Sequence, residues 1–228
     1  MKTPASLPSD YLHTVDIHLG DATLTAQMLI PRAAKGLIIF TYSGARLHHV
    51  QRNTLIAKEL HRYKLAALCI DLLTAQEATI YQNTYDVPLL TRRLVGVTAW
   101  AMRATPTRLL PIGYFSAGAN TAAAFKIASR TCRGPRAIVS ISGRTDLAHT
   151  DALHVAIPTL LIVGHEDLAI REVNEQTLNQ LSGRKKMAVI AHAAHIFEHP
   201  QALECTVRLA SSWFHKYVRP SRIRRTKH

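Results

Sequence analysis

The stretch that decides the fold is LLPIGYFSAGAN, which occupies residues 109–120. It is apolar through Phe115, continues in small residues, and leads into an alanine-rich segment at residues 122–128 with helical spacing. An apolar run that meets small residues and then a helical pattern is typical of a buried strand ending at a tight turn. We therefore interpret residues 109–115 as a central strand, with Ser116 and Gly118 at the turn that precedes a helix.

Outward from this strand, the sequence alternates between strand and helix patterns. Five further runs are apolar on both faces, as the strands of a parallel sheet covered by helices must be; they lie at residues 36–40, 65–70, 137–141, 159–163 and 187–190. Apolar residues at helical spacing mark five helices, around residues 55–63, 89–101, 122–128, 173–181 and 203–214. This order predicts right-handed crossovers and a three-layer α/β sandwich.

The N-terminal part of the chain has a different pattern. Residues 15–19 and 24–30 alternate between apolar and polar side chains, Gly20 and Asp21 separate them, and Pro31 follows. This pattern predicts an antiparallel hairpin at one edge of a mostly parallel sheet. We expect residues 1–218 to form a single domain and residues 219–228 to form a basic, disordered tail.

Composition excludes several classes of protein. The chain has 228 residues, of which 47% are hydrophobic and 19% are charged, so a mainly disordered chain is excluded. No apolar run approaches the roughly 20 residues that span a bilayer, and the first residues hold no apolar signal core. Cys69, Cys132 and Cys205 have no metal-site or disulfide spacing, which favours a cytoplasmic location.

The net charge is +13, and the C-terminal tail is rich in Lys and Arg. This charge favours contact with anions, including nucleic acid through the tail. No RNA-binding or zinc-finger pattern accompanies it.

Chemically useful residues follow the predicted strands. In open α/β sheets, ligand-binding sites and active sites lie at the carboxyl ends of the strands. There the chain carries first Ser116, then Asp167 and finally His195, in the order of an α/β-hydrolase triad. A serine hydroxyl needs an imidazole to take its proton, and the imidazole needs a carboxylate to orient it. We therefore predict Ser116, Asp167 and His195 as catalytic residues, with Glu166 as an alternative acid.

An acyl-transfer reaction also needs backbone N–H groups that stabilise the oxyanion. Tyr42, at the end of an earlier strand, and Ala117, after the proposed nucleophile, are in position to supply them. These two residues are the predicted oxyanion hole.

The chain from about residue 14 to residue 218 resembles the dienelactone hydrolase-like branch of the α/β-hydrolase superfamily. The matching stretches are RN at 52–53, IDLLT at 70–74, DVPLL at 86–90, LPIGYF at 110–115, SGRTDL at 142–147, PTLLIVG at 158–164 and HIFE at 195–198. The resemblance implies the α/β-hydrolase fold. It also implies hydrolysis of a small ester- or lactone-like substrate, without a cofactor.

The sequence departs from that family at the turn. Relatives carry Gly-Phe/Ala-Ser-Thr-Gly directly after the Tyr-Phe pair, and an ungapped match places their nucleophilic serine on Gly118. The flanking glycines then fall on Ser116 and Asn120. A turn with Gly118 at its apex is sterically easier, because glycine adopts positive φ at little cost, but it offers no nucleophile. A turn with Ser116 at its apex needs the strand to end two residues early.

Two functions therefore remain open from the sequence. One is a serine-type hydrolase that uses Ser116. The other is a catalytically inactive family member that binds a small-molecule ligand or a partner.

Three local patterns also have two interpretations. Asp167 precedes a helix and is equally suited to cap it. Arg144 and Asp146 follow a strand and either line a pocket or pair with each other. His192, His195 and His199 have metal-like spacing, but they lie in a predicted loop without an HExxH motif, so we predict no metal site.

Overall fold

A computed structural model describes residues 9–43, 49–130, 134–191, 193 and 200–220. The strands are β1 (Ser9–His18), β2 (Thr23–Ile30), β3 (Gly36–Tyr42), β4 (Leu65–Asp71), β5 (Ile112–Ala117), β6 (Ile138–Ile141), β7 (Thr159–Gly164) and β8 (Lys185–Ile190). The α-helices are α1 (His49–Arg62), α2 (Val87–Ala101), α3 (Asn120–Arg130), α4 (Leu168–Gln180) and α5 (Pro200–Tyr217). The 3₁₀ helices are η1 (Glu77–Thr79), η2 (Tyr81–Tyr85) and η3 (Thr145–His154).

The eight strands of the described residues belong to one sheet, in the order β1-β2-β4-β3-β5-β6-β7-β8. The β1–β2 and β2–β4 pairs are antiparallel, and the pairs from β4 through to β8 are parallel. The predicted mostly parallel sheet with an antiparallel hairpin at its edge is therefore confirmed. Among the described residues, no helix is both long enough and apolar enough to cross a bilayer.

The core lies on both faces of this sheet, because the central strands bury every side chain or nearly every one. On one face, residues such as Leu94 and Phe125 bring α2 and α3 against the sheet. On the other face, Ile56 of α1 and Phe214 of α5 pack these two helices against the sheet. The structure thus has the helix–sheet–helix layers that the sequence predicts.

The start of β5 differs from the prediction. The strand begins at Ile112, whereas the apolar run begins at Leu109. Leu109 is 85% exposed, and the N–H of Leu110 donates to the Thr107 carbonyl in a turn. Pro111 has no N–H for the ladder, and its carbonyl accepts from Leu37 as β5 joins the sheet. The helices η1, η2 and η3 were also not predicted, because such short elements have no clear periodicity.

A buried arginine on α2 fixes the segment that follows β4. The side chain of Arg93 is 3% exposed; it donates to Asp21 Oδ1 at 2.8 Å and to Glu77 Oε1 at 2.7 Å. Glu77 in turn accepts from the N–H of Thr74 at 2.9 Å, and its own N–H donates to Thr74 Oγ1 at 3.1 Å. This capping box and ion pair hold η1 against α2 and the hairpin turn.

We expect the Glu77 contacts to make stability pH-dependent. Partial burial raises the pKa of Glu77, but the hydrogen bonds from Thr74 and the charge of Arg93 outweigh it and lower the pKa overall. The ionised Glu77 carboxylate therefore stabilises the fold fully at pH values above its pKa in the unfolded state. This stabilisation is lost as the pH falls through its pKa in the folded state. When the pH is lowered from neutral to below about 4, the free energy of unfolding should fall in both proteins. It should fall by about 1 kcal/mol more in the wild type than in Glu77→Gln.

Urea unfolding at several pH values measures this difference. Glu175→Gln is the matched control, because Glu175 pairs with Arg171 on the exposed surface of α4. The control should follow the wild-type pH dependence. Equal pH dependence in wild type and Glu77→Gln would contradict the assigned role.

Candidate functional site

Gly118 lies at the turn between β5 and α3. Its φ is +57°, in the left-handed region that favours glycine. Its N–H donates to the Ile141 carbonyl at 3.2 Å, and its carbonyl accepts from the N–H groups of Thr121 at 3.2 Å and Arg144 at 3.0 Å. The turn is thereby bonded to the end of β6, to the residues after β6, and to the first turn of α3.

Ser116 lies two residues earlier, inside β5. It is fully buried and is in register with Thr41 of β3 and Ser140 of β6. The Thr41 hydroxyl donates to Ser116 Oγ at 3.1 Å. The catalytic hypothesis for Ser116 requires its hydroxyl at the turn; the structure instead places it in the sheet interior, because β5 keeps its pairing through Ala117.

Ser116 belongs to a buried group of polar side chains. Thr121 Oγ1 and Ser140 Oγ lie 2.9 Å apart, and the Thr121 hydroxyl donates to the Ser116 carbonyl at 3.4 Å. Thr41, Ser116, Thr121 and Ser140 are all fully buried. Hydrogen bonds among them offset the cost of removing hydroxyl groups from water.

Asn120 connects the turn to the segment after β3. Its side chain is almost fully buried, and Nδ2 donates to Ser43 Oγ at 3.0 Å and to the Ala117 carbonyl at 3.1 Å. The Ser43 hydroxyl donates back to Asn120 Oδ1 at 3.2 Å. This reciprocal pair occupies the position at which relatives carry the last glycine of the turn motif.

Tyr42 ends β3 and is half-buried. The Arg52 guanidinium lies 3.9 Å from its ring centroid, and Asn53 Nδ2 donates to its hydroxyl at 3.5 Å and to Gln27 Oε1 at 2.8 Å. Burial raises the pKa of Tyr42; the Asn53 hydrogen bond and the Arg52 charge offset this only in part. The phenol therefore stays protonated at neutral pH. Ala117 is the buried last residue of β5, and the oxyanion role of Tyr42 and Ala117 stays a prediction.

Asp167 caps α4. Its Oδ1 accepts from the N–H of Ile170 at 3.3 Å, as the N-cap interpretation requires. The neighbouring N–H of Glu166 donates to the Ala193 carbonyl at 3.2 Å, which bonds the segment after β7 to the segment after β8. His195 lies outside the described residues, as do His192 and His199. The pairing of Asp167 with His195 therefore stays a prediction.

Arg144 and Asp146, which follow β6, pair with each other. Arg144 Nε donates to Asp146 Oδ1 at 2.9 Å, and Nη2 donates to Oδ2 at 2.7 Å. The hydrogen bond from Arg144 holds the pKa of Asp146 below its ordinary value. The Arg144 guanidinium also lies 5.5 Å from the ring centroid of Tyr85 on η2. Sequence reasoning missed Tyr85 and Tyr81, which lie between the predicted strand at residues 65–70 and the predicted helix at residues 89–101, where no periodic pattern marks them.

Comparison with solved structures places these features in the α/β-hydrolase fold. The esterase domain of a Rhodothermus marinus protein has the same fold, with a TM-score of 0.73 and 13% identity over 91% of this chain and 99% of that one. A dienelactone hydrolase from Anabaena variabilis is much more similar in sequence: 38% identity and a TM-score of 0.84, covering 92% of this chain and 99% of that one. The chain thus belongs to the dienelactone hydrolase-like family, as its sequence predicts. No family model matches it.

Curated relatives carry a different name. Two strains of Mycobacterium tuberculosis each have a protein named "Putative phosphoribosyl transferase" that is 34% identical to this chain over 200 residues. The match covers 88% of this chain but 45% of each relative. The chain thus spans about half the length of these relatives.

Gly118, at the turn, and Gly143, after β6, should respond differently to an added methyl group. For Gly118→Ala, no heavy atom of the described residues lies within 4 Å of the added Cβ, so the cost is the left-handed φ alone, about 1 kcal/mol. For Gly143→Ala, the added Cβ would overlap the hydroxyls of Ser140 and Thr121, and we expect a loss of about 3 kcal/mol. Urea unfolding of both variants measures these costs. A larger loss for Gly118→Ala than for Gly143→Ala would contradict the described turn.

Proposed function

We propose that this chain is a non-catalytic member of its family that binds a small-molecule ligand at the carboxyl edge of the sheet. The single observation that supports this is the glycine at the turn between β5 and α3. Gly118 contributes no nucleophilic atom at the position where serine attack requires one. A serine can attack only if its hydroxyl reaches both the substrate and a base.

Ser116 is a poor replacement for the missing nucleophile. To reach the turn it would have to leave its register with Thr41 and Ser140, and Ala117 would have to leave Ile141. Each lost ladder hydrogen bond costs on the order of 1 kcal/mol, and more where a buried group is left unsatisfied. The hydroxyl would also give up the hydrogen bond from Thr41.

The remaining predicted site residues have a binding role in this proposal. In this proposal Asp167, or Glu166 beside it, and His195, which lies outside the described residues, supply polar groups that bind the ligand. The N–H groups of Tyr42 and Ala117 hold an oxygen of the ligand. In an active relative the same groups would stabilise a transition state, so the site keeps its polarity without its covalent step.

Labelling by a fluorophosphonate, read by intact mass, tests the proposal on the full chain. We expect no adduct on the wild type, because no serine hydroxyl stands at the turn. A wild-type adduct that disappears in Ser116→Ala but persists in Ser43→Ala would overturn the proposal and establish Ser116 as the nucleophile. Hydrolysis of p-nitrophenyl acetate by the same variants gives a second readout.

Restoring the serine tests whether the nucleophile is the missing part. Beyond its chain neighbours, no described atom lies within 4 Å of a Cβ added at Gly118, so Gly118→Ser should fold at the cost of the left-handed φ and gain an adduct that His195→Ala removes. Combining it with Ser116→Gly and Asn120→Gly restores the two flanking glycines of the relatives' turn motif and should increase the labelling rate. Folded variants without any adduct would show that the oxyanion donors or the base are also lost.

A second candidate function, phosphoribosyl transfer, comes from the name of the Mycobacterium tuberculosis relatives. We rank it lower, because this chain matches less than half of those proteins, whereas a dienelactone hydrolase matches it over nearly its full length. Incubation with 5-phosphoribosyl 1-pyrophosphate and a nucleobase tests it. Release of pyrophosphate by the purified chain would favour the transferase function over the proposal.

A further inference from the structure

An exposed aromatic surface follows β4 at the carboxyl edge of the sheet. Tyr81 is 70% exposed, Tyr85 is 39% exposed, and Ile80 between η1 and η2 is 51% exposed. We call these three residues the tyrosine ledge. Large apolar side chains that are grouped on a surface commonly mark a binding site.

The tyrosine ledge is held in place rather than loosely attached. The Tyr81 hydroxyl donates to the Tyr85 hydroxyl at 3.3 Å, and the two ring centroids are 5.3 Å apart. Asn83 Nδ2 donates to the Glu77 carbonyl at 2.9 Å, and Glu77 is bonded to the buried Arg93. The tyrosine rings are therefore ordered before a ligand arrives, which lowers the entropic cost of binding.

Arg144 joins the tyrosine ledge to the turn at Gly118. Its guanidinium lies 5.5 Å from the Tyr85 ring centroid, while its backbone N–H donates to the Gly118 carbonyl at 3.0 Å. One residue thus contacts both features. A ligand that covers the tyrosine ledge would also reach the proposed ligand site.

The guanidinium of Arg144 is oriented and still has donors to offer. Asp146 accepts from Nε and Nη2, and Nη1 makes no hydrogen bond to the part of the chain that the structure describes. Arginine donors held in a fixed plane suit a carboxylate, which accepts strong, charge-assisted hydrogen bonds. The net charge of +13 also favours an anionic ligand.

We propose that the tyrosine ledge and Arg144 bind a planar aromatic carboxylate, with its ring stacked on Tyr81 and its carboxylate on Arg144 Nη1. This inference rests on the proposed function, because it names the ligand class of that same site. Aromatic rings gain from offset stacking beyond the area they bury, whereas a saturated ring of equal size gains from the area alone.

Three matched probes separate the two contacts in isothermal titration calorimetry of the full chain. 2-Naphthoate has both the aromatic ring and the charge, decahydro-2-naphthoate has the charge without the aromatic face, and 2-naphthamide has the ring without the charge. We expect 2-naphthoate to bind about tenfold more tightly than either of the others, because each of them lacks one of the two contacts. Absence of 2-naphthoate binding, or equal affinity for the saturated probe, would overturn the inference.

Variants locate the site. Tyr81→Phe keeps the ring but loses the hydrogen bond to Tyr85, so it should bind 2-naphthoate more tightly than Tyr81→Ala does, whereas Tyr81→Ala should bind it about tenfold more weakly than the wild type. Arg144→Gln should abolish the preference for 2-naphthoate over 2-naphthamide. Leu109→Ala is the control, because Leu109 is exposed just before β5 begins, at the opposite edge of the sheet. Unchanged affinity in Tyr81→Ala would overturn the inference.

The two proposals fail in different ways. A fluorophosphonate adduct on wild-type Ser116 would overturn the non-catalytic function, whatever the affinity for naphthoate. Failure of 2-naphthoate to bind, without an adduct, would overturn only the ligand class.

Discussion

The pairing of β5 with β3 and β6 fixes which residue stands at the turn between β5 and α3. Because the ladder continues through Ser116 and Ala117, the serine hydroxyl lies within the sheet and the turn begins only at Gly118. A shift of two residues in the register of β5 would place Ser116, rather than Gly118, at the turn. The buried hydroxyls of Thr41, Thr121 and Ser140 favour the observed register, because they provide hydrogen-bonding surroundings that an apolar interior would lack. Register, rather than the presence of a serine, therefore decides whether the turn carries a nucleophile.

Most of the fold could be predicted from the sequence, because strands buried on both faces leave an unmistakable apolar pattern. The start of β5 could not be predicted, because Leu109 and Leu110 are apolar and extend the apolar run of the strand into an exposed turn. At the site, glycine's tolerance of positive φ favoured Gly118 as the apex from sequence alone. The hydrogen bond between Asn120 and Ser43 could not be predicted, because it joins the first residue of α3 to a residue after β3 that is far away in the chain. Tyr81 and Tyr85 were missed for a similar reason: short 3₁₀ helices have no periodic signal.

The family assignment and the local chemistry point in different directions. The likeness to a dienelactone hydrolase covers nearly the whole chain, yet fold does not by itself fix function. The turn differs from the motif of the relatives at positions that include Ser116, Gly118 and Asn120. In the proposed non-catalytic function, the scaffold keeps its shape without the reaction of its relatives.

Arg93 gives the outer hairpin an influence on the mouth of the site. One guanidinium is shared between Asp21, in the hairpin turn, and Glu77, at the base of the tyrosine ledge. A substitution at Asp21 would leave this nearly buried cation with Glu77 as its remaining ion pair among the described residues. In the proposed binding function, a surface turn remote from the ligand would therefore influence recognition through Arg93.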